Sequence, residues 1–157
     1  MSNSIHIAEY DSVIREVLES GGEFRMYPHG TSMRPLLRQG IDSVVLEKMK
    51  RAPKKNDILF YQRQDGSYIL HRVWEVTDTG LTLVGDNQRM LEYGVTEEQI
   101  IGYVTRIYRG EKEINCDGLW YRMYLWLWQF MVIRRLVLPV TNRLFNIMKG
   151  ASCIIQI

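Results

Sequence analysis

Cysteine is scarce in this 157-residue chain: Cys116 and Cys153 are far apart and fit no metal-ligand spacing. With three histidines and no cysteine cluster, neither a metal site nor a cofactor is expected. Long apolar runs are also missing. The start, Met1-Ser2-Asn3-Ser4, is polar and lacks the basic-then-apolar order of a secretory signal. Met123 to Ile133 is uncharged but only eleven residues long, where a spanning helix needs about twenty. The expectation is a cytoplasmic protein, or one peripheral at a membrane. Nor does one sign of charge prevail. Twenty Lys and Arg against eighteen Asp and Glu leave +2, which argues neither for nor against nucleic acid; no nucleic-acid partner is expected. The one basic block, Lys48 to Lys55, reads first as a solvated turn and second as a contact for an anionic surface.

The length suits a single domain with a real core. Ile7 to Leu18 carries apolar residues at helical spacing and stops at Gly21-Gly22, which predicts a short amphipathic helix. Phe24 to Tyr27 reads as a strand. From Asp42 to Tyr108 the pattern is β. Strands are expected at Ser43–Leu46, Asp57–Tyr61, Tyr68–Trp74, Leu81–Val84 and Gln99–Tyr108, with turns at Asp65-Gly66, Thr79-Gly80 and Gly110. The fold class is mainly β, a small antiparallel assembly. After Gly118 the composition changes: Trp120, Tyr121, Tyr124, Trp126, Trp128 and Phe130 crowd together, with Arg134 and Arg135 beyond. Such a segment suits an interfacial helix, or a helix that covers the sheet. Asn142 to Lys149 predicts a further amphipathic helix. Three regions result: an N-terminal helix over 1–22, a β domain over 23–117 and an aromatic helical segment over 118–157.

One stretch carries chemistry. Gly30-Thr31-Ser32-Met33-Arg34-Pro35 presents a serine in a tight segment stiffened by proline. A serine hydroxyl needs a base, and His71 lies 39 residues downstream in an apolar-flanked strand. Alternation sets His71 on the face of Ile69 and Val73, opposite Leu70 and Arg72. Gly85-Asp86-Asn87 follows, an aspartate in what is commonly a turn tripeptide.

Taken together, the motifs resemble the boxes of type I signal peptidases. Ser32-Met33-Arg34-Pro35 resembles the nucleophile box, and Gly40 and Asp42 the Gly-Asp turn with Ile41 inserted. Leu70-His71-Arg72-Val73 is similar to the base box, Gly85-Asp86-Asn87 to the acid box, and Ile101-Gly102-Tyr103-Val104 to the closing strand. The likeness runs from about Phe24 to Tyr108. Bacterial members use lysine as base, while archaeal and endoplasmic-reticulum-type members use histidine, so the resemblance is to the histidine subgroup. It implies a signal-peptidase/LexA-like antiparallel β catalytic domain. The implied activity is a serine endopeptidase that cleaves a leader or signal-like segment from a peptide or protein bound in extended form.

The resemblance assigns Ser32 as nucleophile, His71 as base, Asp86 as the carboxylate that orients the imidazole, and the Ser32 backbone N–H as oxyanion donor. A second acid is expected shortly after the acid box, where this chain has Glu92 instead of aspartate. Many members carry a serine two residues before the nucleophile; here Gly30 stands there, leaving a backbone N–H or Thr31 to substitute. His29 competes as base but reads first as a local polar contact, and Arg72 as a partner for the sheet or an acid. The C-terminal segment offers a membrane-surface contact. The other reading is a catalytically inactive peptide-binding or membrane-docking module. A LexA-type self-cleaving repressor, which pairs a lysine base with a DNA-binding helical domain, fits neither His71 nor the short N-terminal region.

Overall fold

The computed structural model describes residues 9–128, 130, 139 and 143. Apart from residue 143, the expected helix over Asn142–Lys149 lies outside the described residues, as do the first residues of the N-terminal helix. The chain divides into two compact units, Met1–Asp117 and Gly118–Ile157.

In the first unit a helix, α1 (Asp11–Glu19), precedes eight strands. These are β1 (Phe24–Met26), β2 (Asp42–Glu47), β3 (Ile58–Gln62), β4 (Tyr68–Thr77), β5 (Gly80–Val84), β6 (Glu92–Val95), β7 (Ile100–Arg109) and β8 (Lys112–Ile114). All pairings are antiparallel, in the order β1-β2-β7-β3-β4-β5-β6, with β8 also on β7. The mainly β expectation therefore holds, and the strand positions agree within a few residues. β6 and β8 were not expected. Gly94 interrupts the alternation of the first, and the second is three residues of Lys-Glu-Ile behind a turn.

Local chemistry sets the register. At Asp65-Gly66 the Asp65 carboxylate accepts from the Ser67 N–H at 2.9 Å, and Gly66 takes φ +83°, closing the β3–β4 hairpin. That closure pairs Leu59 with His71 and Tyr61 with Ile69. Leu59, Tyr61, Val73, Leu81, Leu83 and Val95 then form one buried cluster. Burying each large apolar side chain there contributes about 1.5–3 kcal/mol.

In α1 the buried positions are Ile14 and Leu18, four apart, as an amphipathic helix requires. Leu18 lies over β7 where Gly102 leaves room, since a Cβ at 102 would come 2.9 Å from Leu18 Cδ1. The helix ends as expected: the Gly21 N–H donates to Leu18 O and the Gly22 N–H to Val17 O, with Gly21 at φ +82°.

Most of the basic block has partners within the fold. Arg51 donates twice to Asp57, Lys48 pairs with Glu19, and Lys55 sits over the Trp74 ring. The second unit contains α2 (Leu119–Trp128). Among the described residues no helix is long and apolar enough to cross a membrane.

Candidate functional site

The site grows from the alternation of β4, which sends neighbouring side chains to opposite faces. Arg72 points one way. Its Nε and Nη2 donate to the two oxygens of Asp86, each at 2.8 Å, and its Nη1 donates to Asn56 O at 3.0 Å. Both partners of this ion pair are almost wholly buried. One guanidinium thus ties the turn before β3 to the turn after β5.

The Asp86 turn is in turn fastened to the serine segment. The Asn87 N–H donates to Ser32 O at 2.7 Å, and Asn87 Nδ2 donates to Thr31 O at 3.0 Å. The two backbones touch so closely that a Cβ at position 85 would come 2.6 Å from Ser32 O. Because the clash is with backbone, only glycine fits. Ser32 itself is half-buried, and among the described residues its own N–H has no protein acceptor. Gly30 has φ +91°, a left-handed conformation in which a serine would be strained. The chain therefore does more than omit a hydroxyl there: its backbone disfavours one.

Ser32 lines a cavity of about 100 Å³ with His29, Gly30, Met33, Leu37 and Leu70. His29 Nδ1 lies 3.0 Å from Gln39 Nε2. Gln39 Oε1 accepts from the Gly30 N–H, so the amide nitrogen is left to donate to the imidazole. His29 is thus held as a local polar contact.

His71 points to the other face of β4 and is 2% exposed. Its Nδ1 lies 3.3 Å from Tyr61 Oη and 3.8 Å from Glu92 Oε2. Tyr61 donates to Glu92 Oε2 at 2.6 Å, and Arg63 grips the same carboxylate through Nε and Nη2. The phenol has one proton, and the short bond to the carboxylate takes it. Tyr61 Oη is left to accept, which favours the proton on His71 Nδ1 and a bare lone pair on Nε2.

Burial pushes the His71 pKa down to about 4, and Arg63 adds to that push; the Glu92 and Asp86 carboxylates pull the other way and lose. The imidazole is therefore neutral at pH 7. Glu92 is pushed up by burial, but hydrogen bonds from Arg63 and Tyr61 outweigh this and hold it below the usual range. The Tyr61 hydroxyl is raised well above an ordinary phenol by burial and by Glu92.

The sequence-derived residues thus fall into two groups. Ser32 and Asp86 meet through backbone and Asn87; His71 and Glu92 meet through Tyr61. Among the described residues no hydrogen bond joins Ser32 Oγ to His71, and the Asp86 oxygens are held by Arg72 rather than by the imidazole. Tyr61, Arg63 and the Asn87 side chain carried no sequence-derived role. The signal for Tyr61 was in the hairpin: once Asp65-Gly66 fixes the register, Leu59 and Tyr61 share a face with His71. Among the described residues no cluster of His, Cys, Asp or Glu could hold a metal. Cys116 is half-buried, and burial raises its thiol pKa.

No protein-family model matches the sequence, and no curated protein matches it.

Proposed function

We propose that the β unit is a serine endopeptidase of the signal-peptidase/LexA-like kind, acting on a leader or signal-like segment of a peptide or protein. Ser32 Oγ attacks the scissile carbonyl, and neutral His71 takes its proton through Nε2. The unpaired Ser32 N–H receives the oxyanion. The observation that carries the reading is the junction of three separate segments: Asn87 holds the serine loop, Arg72 holds Asp86, and Arg72 neighbours His71 in β4. Glu92, through Tyr61, orients the imidazole, while Asp86 fastens the loops. The small cavity beside Ser32, lined by Met33, Leu37 and Leu70 as well as by His29 and Gln39, suits a small substrate side chain. Catalytic hydrogen bonds are often long in free enzymes and tighten with substrate, and the reading requires that Ser32 and His71, which are not bonded in the free chain, close in that way.

The lack of that bond in the free chain favours the second reading, an inactive peptide-binding module. A serine-directed acylating or phosphonylating probe separates the two. The peptidase reading expects one label, on Ser32, lost in Ser32→Ala and slowed at least a hundredfold in His71→Ala. Labelling that survives in Ser32→Ala, or a folded parent chain that takes no label at pH 7, points to the module.

A further inference from the structure

Charge is divided sharply between the two units. All eighteen acidic residues precede Gly118, whereas Arg122, Arg134, Arg135, Arg143 and Lys149 follow it. The first 117 residues therefore carry a formal −3 and the last forty +5.

The helix that opens this basic segment has two apolar sides. Along one, Tyr121 lies tilted against Tyr124, which stacks on Trp128, with ring centroids 6.0 and 5.0 Å apart, and Trp128 is buried. The other exposes Leu119, Trp120, Met123, Trp126 and Leu127, and Phe130 is exposed just beyond the helix. Trp120 is 82% exposed and Leu119 71%. Water is a poor solvent for such a cluster, and an apolar face of this size marks an interaction surface.

We propose that α2 docks on the surface of a lipid bilayer rich in anionic headgroups. Trp120, Met123, Trp126, Leu127 and Phe130 enter the boundary between headgroups and acyl chains, and Arg122 with the downstream cations meets the lipid phosphates. The charge decides the occupant. An apolar face alone would suit a protein or a second copy of the chain. Forty residues with five cations and no anion instead match a surface that is both greasy and negative. Indole rings also prefer the headgroup level, where an apolar body and an N–H donor are both satisfied. Each Lys or Arg close to an anionic membrane strengthens binding about fivefold. The proposal is independent of any chemistry at Ser32.

The test is sedimentation of the full chain with vesicles of phosphatidylcholine alone or with one-third phosphatidylglycerol. Binding at least tenfold tighter to the anionic vesicles, weakened by 0.5 M salt, is expected. Trp120→Ser/Trp126→Ser should lose at least tenfold in vesicle binding. Both side chains are exposed, so the fold should persist, checked by circular dichroism. Equal binding to both vesicle types, no binding to either, or undiminished binding by the double variant would each overturn the proposal. So would a chain that dimerises through this face, or that retains on duplex DNA, while ignoring vesicles.

Discussion

The two faces of β4 carry the same kind of ion pair under different conditions. On one, Arg72 holds Asp86 where water does not reach. On the other, the carboxylate near His71 is Glu92, held by Arg63 with both partners partly exposed. A sealed carboxylate with each oxygen committed to a guanidinium is an anchor. A half-open one can also accept from Tyr61 and so steer an imidazole. Similar residues thus do different work according to what surrounds them, and the assignment of roles follows burial rather than motif position.

Breaking the sealed pair should do most harm. Asp86→Ala leaves the Arg72 charge buried without its partner, and about 3–5 kcal/mol of stability should be lost in urea denaturation. A loss under 1 kcal/mol would mean that Asp86 is not an anchor. Next comes pH. Unfolded, His71 titrates near 6.5; folded, near 4. Between these values the unfolded chain binds the proton first, so stability falls as pH drops through the window, by about 3 kcal/mol in all. Glu92, with its lowered pKa, adds to the loss below about 4.5. Denaturation curves at pH 7 and 4.5 should differ clearly in the parent and much less in His71→Gln. A flat parent profile would contradict the buried neutral imidazole.

Tyr61→Phe should cost about 1 kcal/mol and shift the acid limb of probe labelling at Ser32. Combined with Glu92→Gln it should be non-additive by at least 0.5 kcal/mol, as for groups in one network. Strict additivity would separate Tyr61 from Glu92. The smallest effect belongs to the surface: Lys48→Ala, which removes the exposed pair with Glu19, should stay within about 0.5 kcal/mol.

Much of the strand pattern was legible because turn chemistry is local. Asp65-Gly66 and Thr79-Gly80 mark hairpins within four residues of sequence. The candidate site was legible only as members. Ser32, His71, Asp86 and Glu92 stand out by type and order, but which acid meets the histidine depends on contacts between strands far apart in sequence. Asp86 follows its glycine into a turn, where Arg72, on the face opposite His71, captures it. Glu92 opens β6, a strand whose alternation Gly94 obscures. Tyr61 looks like ordinary core until its hydroxyl has to find a partner.

The bond from Asn87 to Ser32 spans more than a third of the chain. A polypeptide leaving the ribosome exposes its serine loop long before the residue that pins it has been made. If Ser32 is the nucleophile proposed above, its reactivity should arrive late in synthesis, after Asn87 has been made and β5 has paired with β4. On that reading the growing chain carries an idle hydroxyl until residue 87 is in place, and its own backbone is spared over that interval.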